Sequence, residues 1–368
     1  MSKIKVYLKK PWAISDSPYY EYLIQNVSDK IEYVNNSEES YGIVKDIKKF
    51  KLLNRLKRGV KLTIRNLFPG MPNAHFTQTE KNYDLIHCAH CLSLNDSPWV
   101  MDVEYVNQFW LGGIVKKQRR KISRILEGKN CKKIIAWTNW TKGSIVKEFP
   151  NIENKIEVVY PALSVKNFKK NKTKKINLLF VSRRFYFKGG LHAVEVMDRL
   201  TKKYKNVQAL VISDTPKEVV KKYSKNRRIV FLKVMPKEKL FSKVYPQTDL
   251  LVYPSYTDTF GFAILEVLSF GIPVITVSGQ SRDELVSDGK TGFIIRGPSK
   301  LDQKSLEGLQ AYRRIIDELE EKTEILIKNK KLREKFSKNA FNEIKSGKFS
   351  IKERNKKLEK IYAEALTK

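Results

Sequence analysis

Short runs of apolar residues alternate with segments of helical spacing along the whole chain. In the first half, the apolar runs are Ile4–Leu8, Tyr83–His87, Lys132–Trp137 and Ile156–Tyr160. Between residues 114 and 126 the apolar positions recur at helical spacing instead. Because such runs are short and mostly apolar, they predict buried strands. Strands that alternate with helices are typical of a parallel sheet covered on both faces.

The same pattern restarts after a polar segment. Residues 166–175 read KNFKKNKTKK, which has many like charges and no apolar periodicity, as is typical of a linker. A helix is then predicted over Gly190–Tyr204. The strand-like runs of this half are Ile176–Val181, Val207–Ile212, Ile229–Leu232, Leu250–Tyr253 and Pro273–Val277. We therefore predict two doubly wound α/β domains, over residues 1–162 and 163–345, and a final helical segment over 346–368.

The composition is that of a folded protein, since 41% of the 368 residues are hydrophobic, 11% aromatic and 30% charged. It excludes collagen-like, low-complexity and largely disordered classes. The three cysteines are too few for a disulfide scaffold. The N-terminus lacks the apolar segment of a signal peptide, and no apolar run is long enough to cross a bilayer. We therefore expect a cytoplasmic protein.

The charge is far from balanced, because 72 Lys and Arg against 39 Asp and Glu give a net charge of +33. Basic chains of this kind bind phosphates, whether in nucleic acid, in anionic lipid or in phosphorylated small molecules. A general bias towards lysine is the alternative explanation. The net charge alone does not distinguish phosphate binding from a general bias towards lysine.

Two acidic residues flank a predicted strand-to-helix turn after Tyr253. Asp258 comes just before a helix that we expect to begin near residues 259–260, and Glu266 lies about two turns inside that helix. The backbone N–H groups at the start of this helix suit a phosphate, and the carboxylates suit hydroxyl groups. The N–H groups in question belong to Phe260, Gly261 and Phe262. Phosphate and polyol together describe a nucleotide sugar, whereas the alternative makes Asp258 an N-cap and Glu266 an ordinary helix residue.

A second motif follows the strand at 176–181 and reads SRRFYFKGG. Arg183 and Lys188 lie on this loop at the carboxyl edge of the predicted sheet, where ligands of such sheets bind. Two fixed cations there can hold a diphosphate and stabilise the charge of a leaving nucleotide. Arg184 replaces Arg183 if the register shifts by one residue. Solvated surface charges are the alternative.

These motifs together resemble the retaining glycosyltransferases of family 4, which have the GT-B fold of two facing Rossmann-like domains. Their signature of an acidic residue, seven residues and a Glu is matched by Asp258 and Glu266. The runs Ser269–Ile275, Glu284–Val286 and Thr291–Phe293 are also similar to theirs. The resemblance is dense between residues 176 and 295 and thin before residue 132.

The resemblance implies a set of roles. Glu266 would bind the ribose of the donor, and Arg183 and Lys188 its pyrophosphate. Asp258 would contact hydroxyl groups of the donor sugar, in a place where the family usually has the longer Glu. The four residues would form the catalytic set, and the donor would be a UDP- or GDP-sugar. Family 4 chemistry proceeds with retention and without a metal, so we expect no metal and no cofactor.

Residues 84–91 read DLIHCAHC, and they permit three interpretations. Cys88 and Cys91 with interleaved histidines could belong to a metal site or include a low-pKa thiol. The family resemblance instead places an Asp-x-x-His strand end beside the acceptor, which would make His87 or His90 an acceptor-side residue. A strand-end histidine held within its domain is a third interpretation. Ser15, on the loop after the first strand, is a further acceptor-side candidate.

Two basic stretches, Lys45–Lys61 and Lys116–Lys133, have apolar residues at helical spacing. In the first stretch these residues are Ile47, Phe50, Leu53, Leu56 and Val60. The pattern fits a helix on an anionic membrane surface, and it fits equally a helix whose apolar stripe packs on its own domain. A peripheral membrane contact would suit a glycolipid or lipid-linked acceptor.

The sequence therefore predicts a glycosyltransferase that moves a sugar from a nucleotide donor to a hydroxyl acceptor. The acceptor would be a glycan, a glycolipid or a lipid-linked sugar. Two other functions stay open: a catalytically inactive GT-B scaffold and a basic nucleic-acid-binding protein. No interleaving of aromatic and basic residues typical of an RNA-binding module supports the latter.

Overall fold

The computed structural model describes residues 2–10, 19–35, 56, 59–60, 62–63, 66–111, 118–165, 175–298 and 307–367. The chain divides into two units. The first comprises Met1–Ala162 together with Ile351–Lys368, and the second comprises Leu163–Ser350. Residues 346–350, which the sequence interpretation grouped with the last helix, thus lie in the second unit.

The first unit is built on a parallel sheet of six strands in the order β2-β1-β4-β6-β7-β8. Its strands are β1 (Ile4–Lys9), β2 (Ile31–Tyr33), β4 (Leu85–Ala89), β6 (Trp99–Val103), β7 (Cys131–Ala136) and β8 (Ile156–Val158). A separate short parallel ladder joins β3 (Ala74–His75) to β5 (Leu92–Ser93). All residues of β4 and β6 are buried, as expected for central strands covered on both faces.

The second unit repeats the design with a six-stranded parallel sheet in the order β11-β10-β9-β12-β13-β14. Its strands are β9 (Ile176–Ser182), β10 (Val207–Ser213), β11 (Ile229–Leu232), β12 (Leu250–Tyr253), β13 (Val274–Val277) and β14 (Gly292–Ile295). The order places β9 beside β12. The loops that follow these two strands therefore leave the same edge of the sheet side by side.

Helices connect the strands in both units. In chain order they are α1 (Tyr19–Ile24), α2 (Arg119–Glu127), α3 (Asn139–Glu148), α4 (Gly190–Lys203), α5 (Lys217–Tyr223), α6 (Lys237–Lys239), α7 (Phe262–Leu268), α8 (Arg282–Leu285), α9 (Arg313–Lys328), α10 (Lys330–Lys345) and α11 (Ile351–Leu366). The last helix returns to the first unit. There, Arg354 donates to the carbonyls of Tyr22 and Asn26.

One central strand was not predicted from the sequence. The segment over β6 reads WVMDV, in which Asp102 interrupts the apolar run. The carboxylate is nevertheless fully buried. It accepts hydrogen bonds from the Tyr20 hydroxyl at 3.3 Å and from the backbone N–H of His90 at 3.1 Å. Because donors from other elements satisfy the charge, a position that looks polar in sequence is tolerated inside the sheet.

Candidate functional site

Two loops meet at the carboxyl edge of the second sheet. One follows β9 and carries Arg183 and Lys188, and the other follows β12 and carries Asp258. The Nζ atom of Lys188 lies 2.9 Å from Oδ2 of Asp258. This is the edge at which ligands of doubly wound sheets bind. The structure therefore brings together two of the residues that the sequence selected independently.

Close packing of backbone holds the two loops together. Gly189 has a φ of 69°, and a Cβ atom there would lie 2.2 Å from the carbonyl oxygen of Pro254. A side chain at this position would therefore force the β9 loop away from the β12 loop. The glycine after Lys188 thus allows the approach that puts the lysine against Asp258.

Asp258 is held from several directions. Its Oδ2 atom also accepts a hydrogen bond from the Tyr253 hydroxyl at 2.9 Å, and its backbone N–H donates to the side chain of Gln280. The side chains of Lys188 and Asp258 are 17% and 12% exposed. Burial lowers the pKa of Lys188, and the charge of Asp258 opposes that effect. The carboxylate is thus a fixed, ion-paired group that still reaches the surface.

Glu266 lies in α7, which begins at Phe262 and not near residues 259–260 as predicted. Gly261, with a φ of 100°, precedes the helix in the left-handed conformation and delays its start. Glu266 consequently lies about one turn inside the helix. Glu266 is 8% exposed, and its Oε2 atom accepts a hydrogen bond from the buried Tyr245 hydroxyl at 3.0 Å. The ring of Phe260 is fully buried, so only its backbone faces the turn.

Arg183 and Arg184 are both exposed on the β9 loop. The backbone N–H of Arg184 donates to the Ser182 hydroxyl at 3.0 Å, which turns the chain after the strand. Both guanidinium groups extend from the loop that carries Lys188. That Arg183, or Arg184 in its place, binds a diphosphate stays a prediction.

A buried arginine near this site was not identified from the sequence. Arg282 is 1% exposed, and its Nε atom donates to the carbonyl of Val277 at 2.7 Å. Burial lowers its pKa, while the charges of Asp258 and Tyr253 act in the opposite direction. Its cation adds to the positive field around Asp258. Only the tertiary fold brings Arg282 close to Asp258, so no local sequence pattern could have identified this arginine.

The acceptor-side candidates belong to the first unit. His87 is fully buried on β4, and its Nδ1 atom lies 2.6 Å from the Tyr362 hydroxyl of α11. Burial lowers the pKa of His87, which favours the neutral ring. This position fits the interpretation of a strand-end histidine held within its domain. Ser15 lies outside the residues that the structure describes.

His90 comes directly after β4 with a φ of 57° and a side chain that is 18% exposed. Its Nδ1 atom lies 3.6 Å from Oδ1 of the buried Asp102. The rings of Tyr20 and Trp137 have centroids 5.4 Å and 5.0 Å from that of His90. Of the two predicted histidines, His90 is the partly exposed one, although both of its ring nitrogens are buried.

The alternative of a low-pKa thiol, which required the motif to begin a helix, is wrong for Cys88. Cys88 lies on a strand and not at the start of a helix, and burial raises its pKa well above the usual range. Burial also raises the pKa of Cys131 to about 12. Within the described ranges, no three or more His, Cys, Asp and Glu side chains are grouped so that they could hold a metal ion.

The two basic stretches differ. In the second, α2 packs its apolar stripe on the domain, because Ile122 and Leu126 are fully buried. In the first, Leu56 and Val60 are 58% and 50% exposed. Most of Lys45–Lys61 lies outside the described residues, as do Lys116 and Lys117. Among the helices that the structure describes, none has both the length and the hydropathy needed to span a membrane.

Comparison with known proteins finds similarity that is concentrated in the second unit. Residues 164–311 match the family model described as glycosyl transferases group 1. An uncharacterised 41.2 kDa protein in the cps region of Klebsiella pneumoniae is 30% identical over 234 residues, which are 59% of this chain and 58% of that protein. A D-inositol 3-phosphate glycosyltransferase of Nocardia farcinica is 35% identical over 77 residues, 21% of this chain and 17% of its own length. The chain thus aligns with little more than half of the first relative and with a small part of the second.

Solved structures extend the likeness to the whole chain. A glycosyltransferase from Rickettsia africae is similar with a TM-score of 0.64 at 15% identity, and the match covers 100% of both chains. Anabaena HepE, solved with UDP-glucose, is similar with a TM-score of 0.58 at 15% identity, over 98% of this chain and 99% of HepE. These likenesses establish the GT-B fold. The predicted α/β class with two Rossmann-like sheets is confirmed.

Proposed function

We propose that this protein is a glycosyltransferase that moves a sugar from a UDP- or GDP-sugar to a hydroxyl acceptor. The contact between Lys188 and Asp258 carries the proposal. It places a cation suited to a diphosphate against a carboxylate suited to sugar hydroxyls, at the ligand-binding edge of a parallel sheet. The match of residues 164–311 to a glycosyltransferase family model supports it. UDP-glucose in the similar HepE structure supports the donor class.

Each side chain then has a role in transfer. Glu266 accepts hydrogen bonds from the ribose hydroxyls, and Asp258 accepts from hydroxyls of the sugar. Lys188, with Arg183 or Arg184, holds the diphosphate and stabilises the charge that develops as the glycosidic bond breaks. Electrostatic stabilisation of this kind is strongest where water is excluded, and Lys188 is largely buried.

We further propose that transfer proceeds with retention and without a metal. Lys188 contacts Asp258 and the buried Arg282 adds positive charge near it, so the proposal assigns the charge of the leaving diphosphate to cations of the chain itself. In this scheme a leaving phosphate oxygen accepts the proton of the acceptor hydroxyl, and the new bond forms on the same face of the sugar. An acceptor-side role for His90 is part of the proposal and rests on the family resemblance.

The acceptor is proposed to be carried on or near an anionic membrane. Several large apolar side chains that follow the first basic stretch are exposed, among them Leu62 at 57%, Leu67 at 66% and Phe68 at 59%. Exposed apolar residues close to a lysine-rich segment fit a peripheral contact with anionic lipid. A glycolipid or lipid-linked acceptor follows from this surface. A cytoplasmic location with such a contact is part of the proposal.

The function is tested by incubating the purified protein with a panel of UDP- and GDP-sugars and measuring release of the nucleoside diphosphate. We expect slow hydrolysis of one donor, because water replaces a missing acceptor. The anomeric configuration of the released sugar, followed by NMR from the first turnover, tests retention. Binding without any turnover would favour an inactive scaffold. Salt-sensitive binding to DNA with no donor binding would favour a nucleic-acid-binding protein.

A further inference from the structure

We propose that Tyr253 and Tyr245 are positioning residues that divide the donor site into two independently held halves. Tyr253 orients the carboxylate that contacts the sugar, and Tyr245 orients the carboxylate that contacts the ribose. The inference rests on the proposed function and adds to it two residues that do not themselves touch the donor.

Tyr253 ends β12 and is 3% exposed. Its hydroxyl donates to Oδ2 of Asp258 at 2.9 Å, and Lys188 approaches the same oxygen at 2.9 Å. A diphosphate competes with Asp258 for the ammonium group of Lys188. Once Lys188 turns to the phosphates, the hydrogen bond from Tyr253 still fixes the plane of the carboxylate. The short side chain of Asp258 thus stays oriented during donor binding.

Tyr245 is 1% exposed and begins a short 3-10 helix (Tyr245–Gln247) before β12, so it reaches Glu266 from outside the sheet. Its ring packs against those of Phe241 and Phe270, with centroids 5.3 Å and 5.1 Å away. These neighbours prevent the ring from swinging. Its hydroxyl donates to Oε2 of Glu266 at 3.0 Å, which restricts rotation of that carboxylate.

Both hydroxyl groups keep their protons. Burial raises the pKa of Tyr245 and Tyr253 well above the usual range, and the neighbouring carboxylate of each adds to the effect. A protonated tyrosine beside an ionised carboxylate can act only as the donor in the pair. The direction of both hydrogen bonds is therefore fixed, which is the property that a positioning group needs.

Substitutions of the two tyrosines should affect different kinetic constants. Tyr245→Phe should raise the Kd for UDP and the KM for the UDP-sugar by the same factor, about fivefold to twentyfold, with kcat unchanged. Tyr253→Phe should lower kcat for donor hydrolysis by about the same factor and leave the Kd for UDP unchanged. If the parent protein binds guanine rather than uracil nucleotides, these measurements use GDP and the GDP-sugar in place of UDP and the UDP-sugar.

Tyr256→Phe is the matched control. Tyr256 is 7% exposed and lies in the same loop, but its hydroxyl lies 2.9 Å from Nδ1 of His192 and not from a carboxylate. A purely structural effect of a lost buried hydroxyl would appear in all three variants as a lower melting temperature. Such an effect would not raise the Kd for UDP in Tyr245→Phe alone, and it would not lower kcat in Tyr253→Phe alone. That result would overturn the proposal.

A 2′-deoxy nucleotide provides a second measurement. In the parent, 2′-deoxy-UDP should bind more weakly than UDP, and in Tyr245→Phe this difference should shrink, because both changes weaken the same carboxylate–ribose contact. In Tyr253→Phe the difference should keep its parental size. Equal differences in all proteins would overturn the role of Tyr245. A parent that binds neither UDP nor GDP would instead contradict the proposed function itself.

Discussion

The ammonium group of Lys188 lies 2.9 Å from the carboxylate of Asp258, so the cation that suits a diphosphate has a partner within the protein. Under the proposed function, a donor exchanges this ion pair for another. The free-energy cost of the exchange is small if the phosphates replace Asp258 as the partner of Lys188 and the sugar hydroxyls then donate to Asp258. In this scheme one ion pair becomes two ligand contacts.

Replacing Lys188 by Met should weaken binding of UDP by about 1.5–3 kcal/mol, because a charged hydrogen bond to the diphosphate is lost. Binding of uridine, which has no phosphate, should not change. Titration calorimetry with both compounds measures the difference. Lys221→Met, at an exposed position on α5, is the control. Equal weakening for UDP and uridine would contradict the role.

Glu266→Ala should weaken binding of the cognate nucleoside diphosphate by about 2–3 kcal/mol, since two charged hydrogen bonds to the ribose are lost. Calorimetric titration of the folded variant measures this. Glu238→Ala changes a carboxylate on the short helix α6 and should leave the affinity as it is. The assignment is falsified if Glu266→Ala keeps the affinity of the parent.

Turnover should survive EDTA, because the cations of the chain are proposed to hold the diphosphate charge. Donor hydrolysis is measured with the chelator and after addition of magnesium or manganese. We expect equal rates in all three conditions. A rate that EDTA abolishes and manganese restores would show that a divalent ion takes part.

Reversal of four charges in the first basic stretch should release the protein from anionic vesicles. Each basic residue near such a surface contributes about 1 kcal/mol, and salt screens the attraction. The changes are to Glu at Lys48, Lys49, Lys57 and Arg58. Vesicle sedimentation at low and high salt measures binding, and donor hydrolysis should stay at the parental rate.

The control for this experiment is the same number of reversals elsewhere, at Lys221, Lys222, Lys335 and Lys338, which are all exposed on the second unit. If both variants lose binding equally, the overall charge and not the first stretch is responsible. If the parent never sediments with vesicles, a soluble acceptor replaces the lipid-linked one.

The stability of the protein should depend on pH through Lys10. Burial lowers the pKa of Lys10 from 10.5 to about 8. Between these two values the unfolded chain binds a proton that the folded protein does not, so unfolding becomes less favourable as the pH rises. Relative to Lys10→Met, the parent should therefore gain stability from pH 8 to pH 10. Urea unfolding of both proteins measures it, and a parallel pH dependence would refute the prediction.

The sequence by itself determined most strands of the second unit and the residues on which the proposed donor chemistry rests. Apolar runs defined β9 to β13 because a buried strand needs a continuous hydrophobic run, and that requirement is local. The spacing of Asp258 and Glu266, and the lysine followed by two glycines at 188–190, are local patterns as well. Such features can be read before folding, since neighbours in the chain create them.

Only the tertiary structure decided which groups meet these residues. Tyr245 contacts Glu266, Arg282 adds charge near Asp258, and Asp102 is buried among donors from separate elements. It also decided that His87 lies beneath α11 whereas the side chain of His90 is partly exposed. No periodicity encodes these contacts, because each joins segments that only the strand order and the packing of helices bring together. Hydrogen bonds to buried charges depend on that packing, and so does the proposed division of the donor site.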